Sequence, residues 1–277
     1  MKRKALLIGS TGSPYLTGAE IDLINMRNFL ISAYGGSWNL DTEIVECSLN
    51  PTYAELEPHL NSLQYCDYAF VYYTGHGFTD NNNQGQINLN DNEIIPIKNL
   101  ANRCNKQITI IDACRGYAQR FNAIGSVKPS PIIFESTNAE YAKTLFEHFV
   151  SHCPQGRILL LYATQLGQNA DDTNNGGYFS TNLLIATKQI TQQTKKPVIK
   201  IVDAFNETYS KAKNQHKPAI ECTDNVALSL PFAVNPNINT QQPVTTLSDI
   251  AGIAFGAIAV VGITALIADV LTGGNKK

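Results

Sequence analysis

The chain has 277 residues, 43% of them hydrophobic, enough for a substantial core without disulfide support. Its net charge of −2 shows no basic excess, which argues against nucleic acid as a partner. The cysteines (47, 66, 104, 114, 153 and 222) lack zinc-site spacing and do not cluster with histidines, so neither a metal nor a cofactor is expected.

In chain order, Lys4 to Gly9 reads as a buried strand, followed by a helix over Leu16 to Ala33 with apolar positions at Ile21, Ile24, Phe29 and Leu30. Thr42 to Cys47 is a short strand and Pro51 to Leu63 an amphipathic helix. Tyr68 to Tyr73 is a continuous apolar and aromatic run, the pattern of a strand buried on both faces, and it stops at Thr74-Gly75-His76-Gly77. Asp80 to Asn92 is polar and Asn-rich and reads as a solvated hairpin or loop; its carboxylates are too few and unpatterned for a calcium loop. Gln107 to Asp112 is a second buried strand, stopping at Ala113-Cys114-Arg115-Gly116. Asn138 to His152 is helical, Arg157 to Ala163 a third apolar strand, Tyr178 to Ile190 and Val198 to Asn214 helices, and Ala219 to Phe232 a last strand.

Strands alternating with helices predict an α/β fold with a mostly parallel central sheet flanked by helices, in three layers. Sites in such sheets lie beyond the carboxyl ends of the strands, where both His76 and Cys114 fall. A thiol needs a base or a positive environment to act as a nucleophile, and a histidine can take its proton and later protonate a leaving amine. Glycines beside both residues offer backbone N–H groups for a developing oxyanion. A lone cysteine after a strand is usually a small buried hydrophobe, and a lone histidine in a turn is usually structural. Their joint placement after two buried strands is what points to chemistry.

These residues resemble a known family. Tyr72-Tyr73-Thr74-Gly75-His76-Gly77 with Ile110-Ile111-Asp112-Ala113-Cys114-Arg115 is similar to the His and Cys motifs of the caspase–metacaspase clan, especially its bacterial members. Ala5 to Gly9 with Leu16-Thr17-Gly18-Ala19 and Asp22, and Tyr162-Ala163-Thr164 through Gly177-Tyr178-Phe179-Ser180, resemble two further family segments, so the likeness runs from about residue 4 to about 232. It implies a caspase-like fold and a cysteine endopeptidase with Cys114 as nucleophile and His76 as general acid/base. The N–H groups of Gly77 and Cys114 would form the oxyanion hole. Asp112 matches the acid lining the primary pocket of metacaspase-like members, which implies cleavage after Arg or Lys. Asp172 is a second candidate for that pocket, with Asp171 an open alternative; the competing reading of Asp112 is a strand-end carboxylate capping a turn. Arg115-Gly116 departs from the eukaryotic metacaspase pattern, which weakens any carry-over of calcium dependence. Analogy with the caspase linker suggests self-cleavage after Arg120 or Lys128, and the family suggests regulated proteolysis such as cell death or antiphage defence.

After a polar linker at 233–248, Ile250 to Ala268 contains Thr264 as its only polar residue and as a helix would measure roughly 28 Å. A buried C-terminal helix is one reading, but apolar character all round favours a transmembrane helix over 249–271, with a short polar tail at 272–277. Gly252, Gly256 and Gly262 form a small-residue face suited to a homo-oligomer. The four strongly apolar residues after Met-Lys-Arg-Lys are too few for a signal peptide. The expectation is therefore a peptidase domain (1–232) facing the cytoplasm from the inner (cell) membrane, acting on a protein or peptide substrate. Lys276 and Lys277 run mildly against that orientation. The alternative is a membrane-tethered effector whose caspase-like domain is a regulatory binding module and whose tail perturbs the membrane.

Overall fold

The computed structural model describes residues 1–47, 49–117, 131–134, 138–170, 176–212 and 217–238, together with the backbone of 172–173. The expected self-cleavage sites Arg120 and Lys128, the pocket candidate Asp171, most of the linker, the hydrophobic helix with its glycines and the polar tail lie outside these residues. Among the described residues no helix is long and apolar enough to cross a membrane.

The first strand, β1 (Arg3–Gly9), leads into α1 (Thr17–Ile31), β2 (Ile44–Glu46) and α2 (Tyr53–Ser62). Helix α2 starts at a capping box: Glu55 N donates to Thr52 Oγ1 at 3.3 Å, and Thr52 N donates to Glu55 Oε2 at 2.8 Å. Next come β3 (Tyr68–Thr74), a small antiparallel meander β4 (Gly77–Thr79), β5 (Gly85–Asn88) and β6 (Ile94–Pro96), and then β7 (Lys106–Asp112). Every residue of β3 and β7 is buried, as continuous apolar runs require of strands covered on both faces. The chain continues through α3 (Ala139–His152), β8 (Arg157–Tyr162), the two-residue strands β9 (Asp172–Thr173) and β10 (Gly176–Gly177), and α4 (Tyr178–Gln193). It then forms β11 (Val198–Lys200), α5 (Ile201–Lys211), β12 (Ala219–Cys222) and β13 (Pro231–Val234).

Six strands form the central sheet in the order β12-β8-β7-β3-β1-β2, parallel except for the edge strand β12. Alternating side chains divide the core in two. Leu7, Phe70, Tyr72, Ile108 and Leu161 meet α1, α3, α4 and α5 on one face; Leu6, Ile8, Val71, Tyr73 and Ile111 face the other. That second face is covered by α2 together with the meander residues Ile87, Leu89, Ile95 and Ile97, so the third layer is only partly helical.

Two expected elements differ. Val198 to Asn214 is not one helix: Val198 and Ile199 pair antiparallel with Val234 and Ala233, and the helix starts only at Ile201. Burial of two β-branched residues against β13 outweighs the helical pattern read through them. Ala219 to Phe232 is not one strand, because the Asp224 side chain accepts from Val226 N and Ala227 N and turns the chain into a 3₁₀ segment.

The amino end of the sheet is pinned by Arg3, whose side chain is fully buried. Its guanidinium pairs with Glu43 at 2.9 Å, donates to the Gly36 and Ser37 carbonyls, and lies 4.6 Å from the Trp38 ring centre. Burial alone would raise the Glu43 carboxyl, but hydrogen bonds from Arg3 and the Asn39 N–H, with the charges of Arg3 and Lys143, bring it below its ordinary 4.5. Glu43→Gln is expected to cost about 3 kcal/mol at neutral pH, since a buried guanidinium loses its main counter-charge. A lowered folded-state value stabilises above the unfolded value and stops doing so as pH falls through the folded one, so the two proteins should converge in acid. Urea unfolding across that range checks this; a pH-independent difference would contradict it.

Candidate active site

The parallel ladder sets the site. Tyr73 pairs with Ile111 and Thr74 with Asp112, so β3 and β7 end at the same level and their following turns lie side by side. Gly75 N donates to Asp112 O at 3.1 Å, Thr79 N to Gly116 O at 2.9 Å, and Thr79 Oγ1 to Arg115 O at 2.7 Å. A β-carbon on Gly77 would sit 2.9 Å from Ala113 Cβ and 3.0 Å from Cys114 O, so the turns bearing His76 and Cys114 touch.

His76 is 3% exposed. Its Nε2 lies 2.8 Å from the carbonyl oxygen of Pro14, which can only accept, so Nε2 carries the proton and Nδ1 keeps the lone pair. Tyr73 OH donates to the His76 carbonyl at 2.8 Å, as does Asn88 N at 3.0 Å. Gly12 lies against the ring in the left-handed region (φ +50°), where a β-carbon would fall 2.4 Å from Cδ2; only glycine fits there. Burial lowers the imidazole's pKa, partly opposed by the Pro14 carbonyl and the charge of Asp91.

Cys114 is half-buried, and its Sγ accepts from Ala170 N at 3.3 Å. The bond from Asn88 N to His76 O makes Gly77–Ile87 the non-hydrogen-bonded pair of the β4–β5 ladder, so the Gly77 N–H points away from β5. The turn after Cys114 is pinned through Arg115: its N donates to Gln168 O at 2.8 Å, and its carbonyl accepts from Gly167 N at 2.9 Å. The Arg115 guanidinium lies 3.8 Å from the Tyr162 ring centre and 3.5 Å from Glu221 Oε1, while Tyr162 OH donates to Glu221 Oε2. These contacts tie the turn to the edge pair β8–β12.

Asp112 is 5% exposed, and its Oδ2 accepts from Ser180 N at 3.0 Å in the first turn of α4. A second buried carboxylate, Asp22 of α1, meets the same helix end: both of its oxygens accept from Gly177 N, and Oδ2 also accepts from Thr74 Oγ1 at 2.9 Å. A β-carbon on Gly177 would come within 2.3 Å of Asp112 Oδ2, so the helix end and the carboxylates are in close contact. Burial raises the phenol of Tyr72 well above its ordinary value, and the two carboxylates add to the shift. Asp112 thus caps the start of α4, whereas the sequence offered it as the cap of a turn at its own strand end. The backbone of Asp172 stands opposite Gly177 in the β9–β10 pair, at the edge of this acid pair.

Sequence reasoning placed His76, Gly77, Asp112 and Cys114 at one end of the sheet, and the structure brings them together. It named Asp22 only within a family-like segment and gave it no role, although a carboxylate between Ile21 and Leu23 on the inward face of a helix was a signal, and it passed over the carbonyl of Pro14 and the N–H of Ala170. Among the described residues no group of three or more His, Cys, Asp or Glu is placed to hold a metal.

The family model of the caspase domain (peptidase C14) matches residues 2–229. The chain belongs to the caspase-domain peptidases. Its fold is similar to a structural-genomics protein of Geobacter sulfurreducens, with 15% identity, a TM-score of 0.57, and coverage of 84% of this chain and 99% of that one. It is also similar to caspase-1 of Spodoptera frugiperda, at 15% identity and TM-score 0.50, over 79% and 86% of the two chains. At that identity the likeness is one of fold. Among curated proteins none matches the sequence. A caspase-domain assignment implies a cysteine peptidase acting on protein substrates.

Because burial disfavours its charged form, the His76 imidazole should titrate below the ordinary 6.5. Following its ring protons by NMR against pH checks this, with His76→Gln to assign the signal; a midpoint above 6.5 would contradict the burial argument.

Proposed function

We propose that this caspase-domain peptidase is a membrane-anchored cysteine endopeptidase that hydrolyses peptide bonds after Arg or Lys. The observation that carries the reading is the juxtaposition of His76 and Cys114 on touching turns, with the His76 Nε2 proton committed to Pro14 O. That leaves Nδ1 as the base. Sγ of Cys114 attacks the scissile carbonyl carbon and its proton passes to His76, which returns it to the leaving amine; water then hydrolyses the thioester with His76 again as base. The N–H groups of Gly77 and Cys114 face the developing oxyanion.

Specificity rests on Asp22 and Asp112. Two buried carboxylates beside the nucleophile's strand end favour a cationic substrate side chain over an acidic one. Asp172 stands next to them in the backbone and is a further candidate to face that cation. Fluorogenic peptides ending in Arg, Lys or Asp test the reading. Arg and Lys peptides should be cleaved, and Cys114→Ala should lower turnover by about 10³-fold or more. Asp112→Asn should lower kcat/KM for an Arg peptide by at least ~30-fold, the equivalent of about 2 kcal/mol for a charge pair that loses one partner, with circular dichroism to confirm folding. Preference for Asp, or undiminished turnover in Cys114→Ala, would overturn it; toxicity in cells that survives Cys114→Ala would instead favour a binding module with an active tail.

Anchoring rests on the run from Ile250 to Ala268, apolar but for Thr264, and the reading puts the peptidase at the cytoplasmic face of the inner membrane, in regulated proteolysis such as cell death or antiphage defence. The full chain should sediment with membranes and resist alkaline washing. Ile258→Arg should release it, since a mid-span arginine costs about 2.5–3.5 kcal/mol on insertion. A wild-type chain found in the soluble fraction would refute anchoring.

A further inference from the structure

Strands β3 and β7 carry His76 and Cys114 beyond their carboxyl ends; a second pair of side chains meets at their amino ends. Ala69 pairs with Gln107, and three residues before each stands a cysteine, Cys66 and Cys104. Each stands two residues ahead of its strand, Cys66 before Tyr68 of β3 and Cys104 before Lys106 of β7. Cys104 is part of the core on the α2 side, and Cys66 packs against that same core. Cys104 Sγ lies 3.1 Å from the backbone oxygen of Cys66. The strands they lead into run about 4.8 Å apart, inside the roughly 4.4–6.8 Å window of Cα separations that a disulfide spans.

The two thiols have different surroundings. Cys66 is half-buried, close to the charges of Lys2 and Lys4, and Lys4 Nζ donates to the neighbouring Ser62 Oγ at 2.9 Å. Cys104 is 5% exposed. Burial raises the pKa of both thiols, and for Cys66 the two lysines work against that rise.

We propose that Cys66 and Cys104 are a redox modification site, closing to a disulfide that clamps the amino ends of the two site-bearing strands when a peroxide is present. The Cys66 thiolate attacks hydrogen peroxide: an S–O bond forms, the O–O bond breaks, and hydroxide leaves to become water. The Cys104 sulfur then attacks the sulfenic sulfur: the S–S bond forms, the S–O bond breaks, and water leaves with the Cys104 proton. Two thiols are oxidised by two electrons in all, and one peroxide is reduced to two waters. A dithiol reverses the bridge by thiol–disulfide exchange.

The test treats the full chain carrying Cys114→Ala, which removes the thiol at the other end of β7, with hydrogen peroxide. The expected result is a mass lower by two hydrogens and a proteolytic peptide pair joined through Cys66 and Cys104, both undone by a dithiol. Adding Cys104→Ser should abolish the joined pair and leave Cys66 as a sulfenic acid captured by a cyclic 1,3-dione. A bridge joining either cysteine to another position, or full reduction of Cys66 and Cys104 after the half-buried Cys153 and Cys222 have oxidised, would overturn the proposal.

Discussion

The in-register parallel pairing of β3 with β7 is the constraint on which the rest depends. His76 and Cys114 are both carried by strands whose every residue is buried and whose ladder ends with Thr74 opposite Asp112. Slippage by one residue would turn Tyr72 and Ile110 from one core to the other, so two packed faces enforce the register. The turns beyond then inherit their relative position from the sheet. Contacts such as Thr79 Oγ1 to Arg115 O and Gly75 N to Asp112 O refine a placement the ladder has already made.

Electrostatics complete the site from the opposite side. Asp22 and Asp112 arrive on different elements, α1 and β7, and converge on the start of α4. A helix start offers unpaired N–H groups and the positive end of the dipole, which makes it one of the few neutral environments that stabilises buried carboxylates. Capping and cation selection are therefore compatible roles. The cap on α4 does not preclude the pocket role proposed for Asp112.

What was legible in the sequence follows from which interactions are local. Buried strands announce themselves as apolar runs, and their abrupt ends at Gly75-His76-Gly77 and Ala113-Cys114-Arg115 mark the chemistry before any pairing is known. Long-range contacts are silent by comparison. Pro14 O is set against His76 through a loop held by Asn50, whose Oδ1 accepts from Thr11 N, and nothing at position 14 advertises this. Asp22 read as part of a helix pattern because burial of a carboxylate depends on Gly177, 155 positions away. The same reason explains the strand at Val198–Lys200: its partner β13 lies past an entire helix, so periodicity alone favoured continuing the helix.

The sheet also separates two kinds of thiol chemistry that a single sequence must keep apart. Cys114 stands past the carboxyl end of β7, its sulfur accepting from Ala170 N, in the position proposed for the nucleophile. Cys104 stands just before the amino end of the same strand, packed against apolar neighbours, where a sulfur is useful only for what it can join. Seven residues of buried strand keep the two from meeting. In a parallel sheet every strand presents its carboxyl end on the same side, so a site that recruits those ends leaves the amino ends available for structural duties. Arg3 does this for β1 through Glu43 and Trp38, and the Cys66–Cys104 pair is placed to do it for β3 and β7. The division follows from the direction of the chain in each strand rather than from any one residue.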